Sequence, residues 1–461
     1  MFRLKGYILL FLCFFLALSV SVILGSINLV DANDLGSRNP NLPKLNTLYG
    51  QPPIVIGHRG GGTGYRPEHT VGDFGHDLIG SHNLGIEFGA DYIEPDLVVT
   101  KDGVLIVRHE PLLATVKTDN NGKIVYDAHG KATIQEATTN VADVSEFASR
   151  LTTKVLDGNP VTGWFAEDFT LAEIKKLRAI ERLPNIRPHN TQYNGLFQIP
   201  TFDEVINLAK RSEAKTGRKI GIYPETKHPT YFAEVGKYLD GTPIHVNTSK
   251  LLIDRLVANG YTNRDRIFIQ SFEVSNLKEL KNQIMPAAGV DIPLIQLINS
   301  SGAPYDFIYH NLPQTYADLI TPKGLTQVKT YATGIGPDKR LIVPASARLD
   351  KQGQPIDINR DGQISDADKF LKQPTSLVSD AHNAGLLVHP YTFRSDSYFL
   401  SPDYQGKPLR EYEQFIKLGI DGYFTDFANY GHVAKEKAIH GLHEFHRIRL
   451  WELPKINYPV E

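Results

Sequence analysis

The segment YIEPDLVVTKDGVLIVRH, from Tyr92 to His109, carries the pattern that decides the fold. Side chains two residues apart on a strand point to the same face, so Glu94 and Asp96 are expected to lie side by side. An apolar run follows, and the Asp-Gly pair at 102–103 favours a tight hairpin turn. The returning run ends at His109, which such a hairpin brings back to the level of the two acids. The segment therefore predicts a divalent-metal site with an acid/base histidine beside it.

The composition narrows the class of protein. A chain of 461 residues is long enough for one barrel-sized domain or for two or three smaller domains. Hydrophobic residues make up 41% and charged residues 22%, which indicates a globular rather than a disordered chain. The net charge of -2 provides no basic field for a nucleic-acid backbone. Nucleic acid is therefore not expected as a partner, whereas a small phosphate-bearing molecule is compatible with this charge.

Residues 1–32 have the pattern of an export signal. Two positive charges in residues 1–6 precede an almost wholly apolar run over residues 7–25, and cleavage is expected after Ala32. The apolar run also has the length of an uncleaved membrane anchor, so that alternative stays open. The lone cysteine, Cys13, lies in this run, so no disulfide is expected in the mature chain. We expect a bacterial periplasmic or extracellular protein, associated with a membrane only if the segment stays uncleaved.

After a polar linker over residues 33–53, short β-branched runs alternate with helical patterns up to about residue 440. The run Leu341–Val343 is predicted to be one of the strands. Helices are predicted over Thr170 to Ala179, with a threonine cap, and more weakly from Phe370. About eight such strands predict an α/β fold of the (β/α)8 TIM-barrel type, with functional residues at the carboxyl ends of the strands. A doubly wound open sheet is the alternative, but no glycine-rich nucleotide fingerprint supports it.

Two segments interrupt the alternation. Residues 112–164 are rich in Thr and Asp and are predicted to be an insertion, which could cap the site. Residues from about 350 to 370 are predicted to be a second insertion, and residues 441–461 a C-terminal extension.

Six short motifs in a fixed order and spacing follow the predicted strands. They are His58-Arg59-Gly60, Pro67-Glu68-His69-Thr70, Gly89 to Asp96, Asp102-Gly103 with His109, Pro224-Glu225-Thr226-Lys227 and Gln270-Ser271-Phe272. On these motifs the chain resembles the glycerophosphodiester phosphodiesterase family over roughly residues 54–430. Two later motifs, Val388 to Thr392 and Phe424 to Phe427, resemble the exported bacterial branch of that family.

The resemblance implies a TIM-barrel enzyme that hydrolyses glycerophosphodiesters to glycerol 3-phosphate and an alcohol. It also implies one divalent cation, with calcium favoured over magnesium. Both are hard ions that take oxygen ligands. The residues that match family positions are the metal carboxylates Glu94, Asp96 and Glu225, the acid/base pair His58 and His109, and the phosphate-binding Arg59 and Lys227. Two histidines can divide the two proton transfers that cleavage of a diester requires.

Other residues have less specific expectations. Glu68 matches a recurring family acid and is expected to orient either His58 or the loop around it. Three strand-end residues are expected either to form hydrogen bonds in the barrel rim or to contact substrate, namely Ser271, Tyr391 and Asp426. The chain departs from the family at His69, where Asn is usual, and at Glu110, where Asp is usual. Both departures are expected to affect positioning rather than the reaction.

A second pattern, DINRDGQISDAD from Asp357 to Asp368, has the spacing of an EF-hand calcium loop with glycine at its sixth position. The expected ligands are the side chains of Asp357, Asn359, Asp361 and Asp368 and the carbonyl oxygen of Gln363. Aspartate at the twelfth position resembles the dockerin form of this loop. The pattern predicts a second, structural Ca²⁺, with a plain Asn/Asp-Gly turn as the alternative.

Two other functions remain as alternatives. One is a non-catalytic, calcium-stabilised barrel that binds a ligand, which would not need the two histidines. The other is a related phospholipase-type phosphodiesterase, which would need an apolar rim that the polar insertions do not provide. Choline, ethanolamine, inositol and wall-polymer headgroups all stay open as the alcohol portion of the substrate.

Overall fold

The strands of the barrel and their connections are seen in a computed structural model that describes residues 45–72 and 78–444. The predicted export segment and most of the predicted linker lie outside these residues. The strands are β1 Ile54–Gly57, β2 Tyr92–Ile93, β3 Asp96–Val99, β4 Leu105–Val107, β5 Leu112–Val116, β6 Ile134–Ala137, β7 Thr152–Leu156, β8 Asn159–Phe165, β9 Gly221–Ile222, β10 Glu225–Thr226, β11 Ile269–Ser271, β12 Leu294–Ile298, β13 Gly334–Pro337, β14 Ala345–Ala347, β15 Lys369–Leu371, β16 Leu387–Val388 and β17 Gly422–Thr425.

The helices pack around the strands. They are α1 Ser81–Glu87, α2 Leu171–Ile174, α3 Phe202–Thr216, α4 Thr248–Ala258, α5 Val274–Glu279, α6 Met285–Ala288, α7 Tyr305–Tyr309, α8 Tyr316–Leu319, α9 Pro322–Val328, α10 Lys339–Ile342, α11 Leu377–Asn383, α12 Leu409–Leu418 and α13 Ala428–Glu444. No helix in the described ranges is both long and apolar enough to cross a membrane.

Parallel pairing closes the strands into a ring. β1 pairs with β17 on one side and with β2 on the other. β2 and β3 act as one interrupted strand beside β9 and β10, and β11, β12, β13 and β16 follow in order. Backbone hydrogen bonds from Asp421 N to Val388 O at 2.9 Å and from Phe424 N to Pro390 O at 3.0 Å join the last two strands. The predicted (β/α)8 barrel is therefore confirmed.

Apolar side chains pack inside the ring of strands and also between the ring and the surrounding helices. Inside it lie five buried residues, Ile56, Tyr92, Tyr223, Ile295 and Phe424. Outside it, strand residues pack against the helices, as Ile220 and Ile222 do with Phe202 and Val205 of α3. The polar residues that remain are displaced to the strand ends, where the packed interior stops.

The predicted hairpin forms outside the ring. β3 and β4 pair in antiparallel register, with Leu97 opposite Val107 and Val99 opposite Leu105. Gly103 at the turn has a φ of 77°, a conformation that glycine adopts without strain. Arg108 N donates a hydrogen bond of 3.0 Å to Asp96 O, so the next residue, His109, stands at the level of the acids as expected.

Three local predictions differ from the structure. Leu341 lies in helix α10, and the barrel strand in this region is β13, a Gly-Ile-Gly-Pro segment. A Cβ at Gly336 would come within 2.6 Å of Leu297. The close approach of Leu297 therefore requires glycine here, and β propensity does not decide the residue. Phe370 lies in β15, which pairs with β14, and the helix begins at Leu377. The helix predicted from residue 170 is limited to α2, although Thr170 forms its capping box as expected.

The segment after the hairpin forms a small sheet of its own. β5 to β8 pair in antiparallel fashion in the order β6-β5-β8-β7, over an apolar cluster that includes Leu113, Phe147 and Trp164. The turn between β7 and β8 carries Asp157, whose φ is 47°. This turn brings a residue of the insertion to the rim of the barrel.

Candidate active site

Polar side chains at the carboxyl ends of the strands line a cavity of about 490 Å³. Its walls include His58 and His109 and two of the predicted metal ligands, Glu94 and Glu225. Arg59 also faces it. The structure therefore brings together residues from four separated motifs of the sequence.

Three buried carboxylates meet at one side of this cavity. Glu94 lies between β2 and β3, Asp96 begins β3, and Glu225 begins β10 directly beside Asp96 in the sheet. One oxygen from each of the three lies within 4.8 Å of the others. Among the described residues, Glu94, Asp96 and Glu225 are the one group of acidic or histidine side chains close enough together to share a metal ion.

The carboxylates repel one another in the absence of a counter-charge. Burial, and then the charges of Asp96 and Glu225, raise the pKa of Glu94 well above its usual range. Burial also raises the pKa of Glu225 to about 8, although the ammonium group of Lys227 opposes this. The pKa of Asp96 is held well below its usual range, because His109, His69 and Lys227 outweigh its burial. Two of three clustered acids thus resist ionisation, which is the situation that a bound cation relieves.

The oxygen atoms around the cluster fit a hard divalent cation. Oδ1 of Asp96 and Oε1 of Gln270 are buried and have no hydrogen-bond partner. Gln270 Nε2 donates to Glu94 Oε1 at 3.2 Å, which holds its amide beside the cluster. Buried oxygens without donors are costly, and cations such as Ca²⁺ and Mg²⁺ prefer carboxylate and carbonyl oxygens.

His58 is held by a carboxylate from the last strand. Its Nδ1 lies 2.5 Å from Asp426 Oδ1, and the other oxygen of Asp426 accepts from Arg187 at 2.6 Å and from Arg394 at 3.2 Å. Burial lowers the pKa of His58 to about 4, although Asp426 pulls it upwards. The ring is therefore neutral near pH 7, with Nδ1–H donated to Asp426 and Nε2 left for a proton from a ligand.

His109 stands in a second chain of charged groups. Its Nδ1 is 2.8 Å from Glu110 Oε1, and Lys227 Nζ is 3.3 Å from its Nε2. Glu110 also binds His228 at 2.6 Å, and His228 in turn binds Asp157 of the insertion at 2.7 Å. Burial, followed by the positive charges of Arg59 and Lys227, lowers the pKa of His109. Burial opposes a charge on His228, but Glu110 and Asp157 raise its pKa to about 10.

The two predicted phosphate-binding cations flank the carboxylates. Arg59 has a φ of 51°, which directs its backbone N–H to Glu94 Oε2 at 2.6 Å. Its Nη1 donates to Glu68 at 2.6 Å, while its buried Nε has no hydrogen-bond partner. Lys227 Nζ is 2.9 Å from Glu225 Oε1. A non-glycine residue in the left-handed region is strained, and the hydrogen bonds of Arg59 to Glu94 and Glu68 offset that strain.

The remaining predicted residues act through their neighbours. Glu68 binds Arg59 and Arg182, so it supports the loop after β1 rather than His58. His69 Nε2 is 2.9 Å from Asp96 Oδ2, which places this departure from the family directly on a predicted ligand. In the barrel rim, Ser271 Oγ accepts from Glu273 N at 3.3 Å and Tyr391 OH donates to Ile298 O at 3.0 Å.

The sequence analysis assigned no role to several residues at the site. Gln270 could have been recognised, because it ends a predicted strand one residue before Ser271. Arg187, Arg394, Asp157 and His228 had none, because their partners are distant in the chain. Asp426 was recognised only as a strand-end residue, and the structure makes it the partner of His58.

The predicted calcium loop lies between β14 and β15. Its acidic side chains accept hydrogen bonds from backbone amides of the loop, Asp357 from Arg360 and Gly362, and Asp368 from Ile358 and Ser365. Asn359 pairs with Asp361 at 2.9 Å, and Gln363 presents its side chain to Tyr398. Calcium binding here stays a prediction.

Comparisons with known proteins point to one family. The model of the Glycerophosphoryl diester phosphodiesterase family matches residues 58–430. The chain is 34% identical over 389 residues to glycerophosphodiester phosphodiesterase GDPD6 of Arabidopsis thaliana, across 83% of this chain and 86% of the relative. It is 28% identical over 400 residues to the glycerophosphodiester phosphodiesterase of Haemophilus influenzae, across 84% and 90% of the two chains.

The same name recurs among solved structures. The crystal structure of glycerophosphodiester phosphodiesterase from Agrobacterium tumefaciens aligns with a TM-score of 0.42 and 17% identity, across 82% of this chain and 98% of that chain. Because the relatives include plant and bacterial proteins, membership of an exported bacterial branch stays a prediction. The family match itself covers most of the sequence, and the chain therefore belongs to the glycerophosphoryl diester phosphodiesterase family.

Proposed function

We propose that the protein hydrolyses glycerophosphodiesters to glycerol 3-phosphate and an alcohol, with a divalent cation on Glu94, Asp96 and Glu225. The observation that carries this proposal is the cluster of three buried carboxylates with a carboxylate-held histidine on each side. Family membership supports the same reaction. When bound, the cation would offset the negative charge that develops on the phosphate during transfer.

Arg59 and Lys227 are proposed to hold the phosphate. The Nε of Arg59 has no hydrogen-bond partner and lies 3.7 Å from Asp96 Oδ2, so it can donate to a phosphate oxygen beside the carboxylates. Lys227 stands between Glu225 and His109, where its ammonium group can contact both the phosphate and the histidine that moves a proton. The diester carries a single negative charge, and these two cations would face it from either side of the carboxylates.

His58 and His109 are proposed to divide the proton transfers. Each ring has its Nδ1 bound to a carboxylate, which makes Nε2 the nitrogen that exchanges a proton; on His109 this nitrogen also lies 3.3 Å from Lys227 Nζ. One histidine removes the proton from the nucleophile, which is either the neighbouring hydroxyl of the glycerol or water. The other gives a proton from its Nε2 to the departing alcohol oxygen, so it enters the step protonated on both ring nitrogens.

Release of glycerol 3-phosphate from a panel of glycerophosphodiesters tests this proposal. We expect activity to disappear after treatment with a chelator and to return when Ca²⁺ or Mg²⁺ is added, with Ca²⁺ the better ion. His58→Ala and His109→Ala should each lose most of the turnover while thermal unfolding shows an intact fold. Near-normal activity in either variant would remove that histidine from the mechanism.

We also propose that the chain is exported, with its export segment in residues 1–32. Export would place the site in a compartment where calcium is plentiful. N-terminal sequencing of the protein recovered from the periplasm or the medium would identify the cleavage site. A chain recovered only from the cytoplasm would contradict this proposal.

A further inference from the structure

A second cavity, of about 880 Å³, adjoins the carboxylate cluster. It shares Glu225 and Phe272 with the cavity that holds the two histidines, and Lys227 also lines it. A diester whose phosphate lies at the cluster would therefore have this cavity beside it, on one side of the bond that is cleaved.

The walls of the second cavity combine aromatic rings with acids. Phe272 and Tyr316 meet edge to face with centroids 6.2 Å apart, and Tyr305 lies beside the turn of the insertion, near Gly158. Two carboxylates face the same space, Asp157 from the insertion and Glu273 from the segment after β11. Aromatic faces and carboxylates are the groups that proteins place around organic cations.

The cations already present leave Glu273 without an ion pair and one oxygen of Asp157 without a partner. Lys227 pairs with Glu225, and His228 is shared between Glu110 and Asp157. One oxygen of Asp157, Oδ1, is buried without a hydrogen-bond partner. Glu273 is only 4% exposed, and its carboxyl group binds the amide and hydroxyl of Thr230, which are both neutral. Among the described residues, no Lys, Arg or His forms an ion pair with Glu273.

The buried carboxyl group of Glu273 lacks a counter-charge as a result. Burial raises its pKa to about 8, and the nearby Asp306 and Asp157 add to the effect. A cation placed against Tyr305 and Tyr316 would supply the missing positive charge to Glu273 and would also face the unpartnered oxygen of Asp157.

We propose that this second cavity binds the alcohol portion of the diester and selects a headgroup that carries an ammonium or quaternary ammonium charge. The proposal rests on the proposed function, because it assumes that the phosphate lies at the cluster of Glu94, Asp96 and Glu225. Glu273 and Asp157 supply the negative charge, and the rings of Tyr305 and Tyr316 supply faces for the cation, since the Phe272 ring already has Lys227 Nζ 5.6 Å from its centroid.

Headgroup preference tests the proposal with the full-length, metal-loaded enzyme. We expect kcat/KM for glycerophosphocholine and glycerophosphoethanolamine to exceed that for glycerophosphoglycerol and glycerophosphoinositol by about tenfold. Glu273→Gln keeps an oxygen for Thr230 but removes the charge, and Tyr305→Leu removes a ring. Each variant should reduce the ratio of choline to glycerol diester. Tyr126→Leu is the control, because Tyr126 is an exposed tyrosine of the insertion that does not line the cavity, and it should leave the ratio unchanged.

The outcomes separate this proposal from the proposed function. Equal kcat/KM for all four diesters, or an unchanged ratio in both variants, would overturn the headgroup site and leave the phosphodiesterase activity standing. If no diester is cleaved, calorimetric binding of tetramethylammonium decides the matter, since binding weakened by Glu273→Gln supports the site and an absence of binding overturns it. If Glu273→Gln fails to fold, Tyr305→Leu against Tyr126→Leu carries the same test.

Discussion

Asp426→Asn tests whether the carboxylate that holds His58 serves the reaction or only the fold. In the wild type, Asp426 accepts hydrogen bonds from His58, Arg187 and Arg394. In the variant, the amide oxygen is expected to face the two arginines, so its NH2 group faces His58 Nδ1. That nitrogen must then accept, which places the ring proton on Nε2. There the proton blocks uptake of another proton from the nucleophile, and it cannot be given to the alcohol without leaving the ring anionic. We expect kcat to fall by about 10²- to 10³-fold with little change in KM.

The stability cost should be smaller than the loss of activity. Arg187 keeps a second carboxylate partner, Asp396, at 2.8 Å, so it is not left unpaired in a buried site. Weakening the charged hydrogen bonds to Asp426 should lower the free energy of unfolding by about 2 kcal/mol. Thermal and denaturant unfolding measure this term, and a coupled assay for glycerol 3-phosphate measures kcat.

Asp396→Asn is the matched control for this prediction. It removes the other carboxylate of Arg187 and leaves the hydrogen bond between His58 and Asp426 in place. We expect a similar loss of stability with kcat close to that of the wild type. Equal losses of kcat in the two variants, or a normal kcat in Asp426→Asn, would refute the assignment of the proton on His58.

The remaining predictions concern the carboxylate cluster, two histidines and the predicted calcium loop. Glu225→Gln should abolish activity at low Ca²⁺ and weaken metal binding measured by calorimetry, because it removes one of three clustered carboxylates; unchanged affinity would exclude Glu225 as a ligand. His228, with a pKa raised from 6.5 to about 10, should stabilise the fold most below pH 6.5 and lose that contribution as the pH rises through 10. Denaturant unfolding of His228→Gln against wild type should show a gap of a few kcal/mol at pH 6 that closes towards pH 10, since each pH unit is worth about 1.4 kcal/mol, whereas a constant gap would contradict the raised pKa. His69→Asn, which restores the usual family residue, should fold and keep activity if its role is to orient Asp96 by a hydrogen bond; a complete loss of turnover would assign His69 a further part in the reaction. Ca²⁺ bound in the loop should raise the melting temperature of the wild type, and Asp361→Asn should abolish this rise. An identical rise in both proteins would show that the loop does not bind calcium.

The barrel and the outline of its site follow from local features of the sequence. Alternation of short apolar runs with helical patterns predicted the fold, and polar residues directly after those runs predicted where the site would lie. The hairpin from Tyr92 to His109 was predictable because a two-residue period and an Asp-Gly turn are both short-range signals. Strand β13 was not predicted because it has no β-branched pattern. Its Gly336 is required by the close approach of Leu297, which is a tertiary contact.

The partners of the site residues depended on the tertiary structure. Asp426 is 368 residues from His58, and Arg187 is 239 residues from Asp426, so no periodicity connects them. They meet because closure of the ring pairs β17 with β1 and brings the ends of the barrel together. In the same way the insertion delivers Asp157 to His228 across 71 residues. The sequence by itself determined which chemical groups stand at the strand ends, whereas the closed ring and the insertion decided which of them touch, because side-chain contacts across such separations are set by the packing of whole elements.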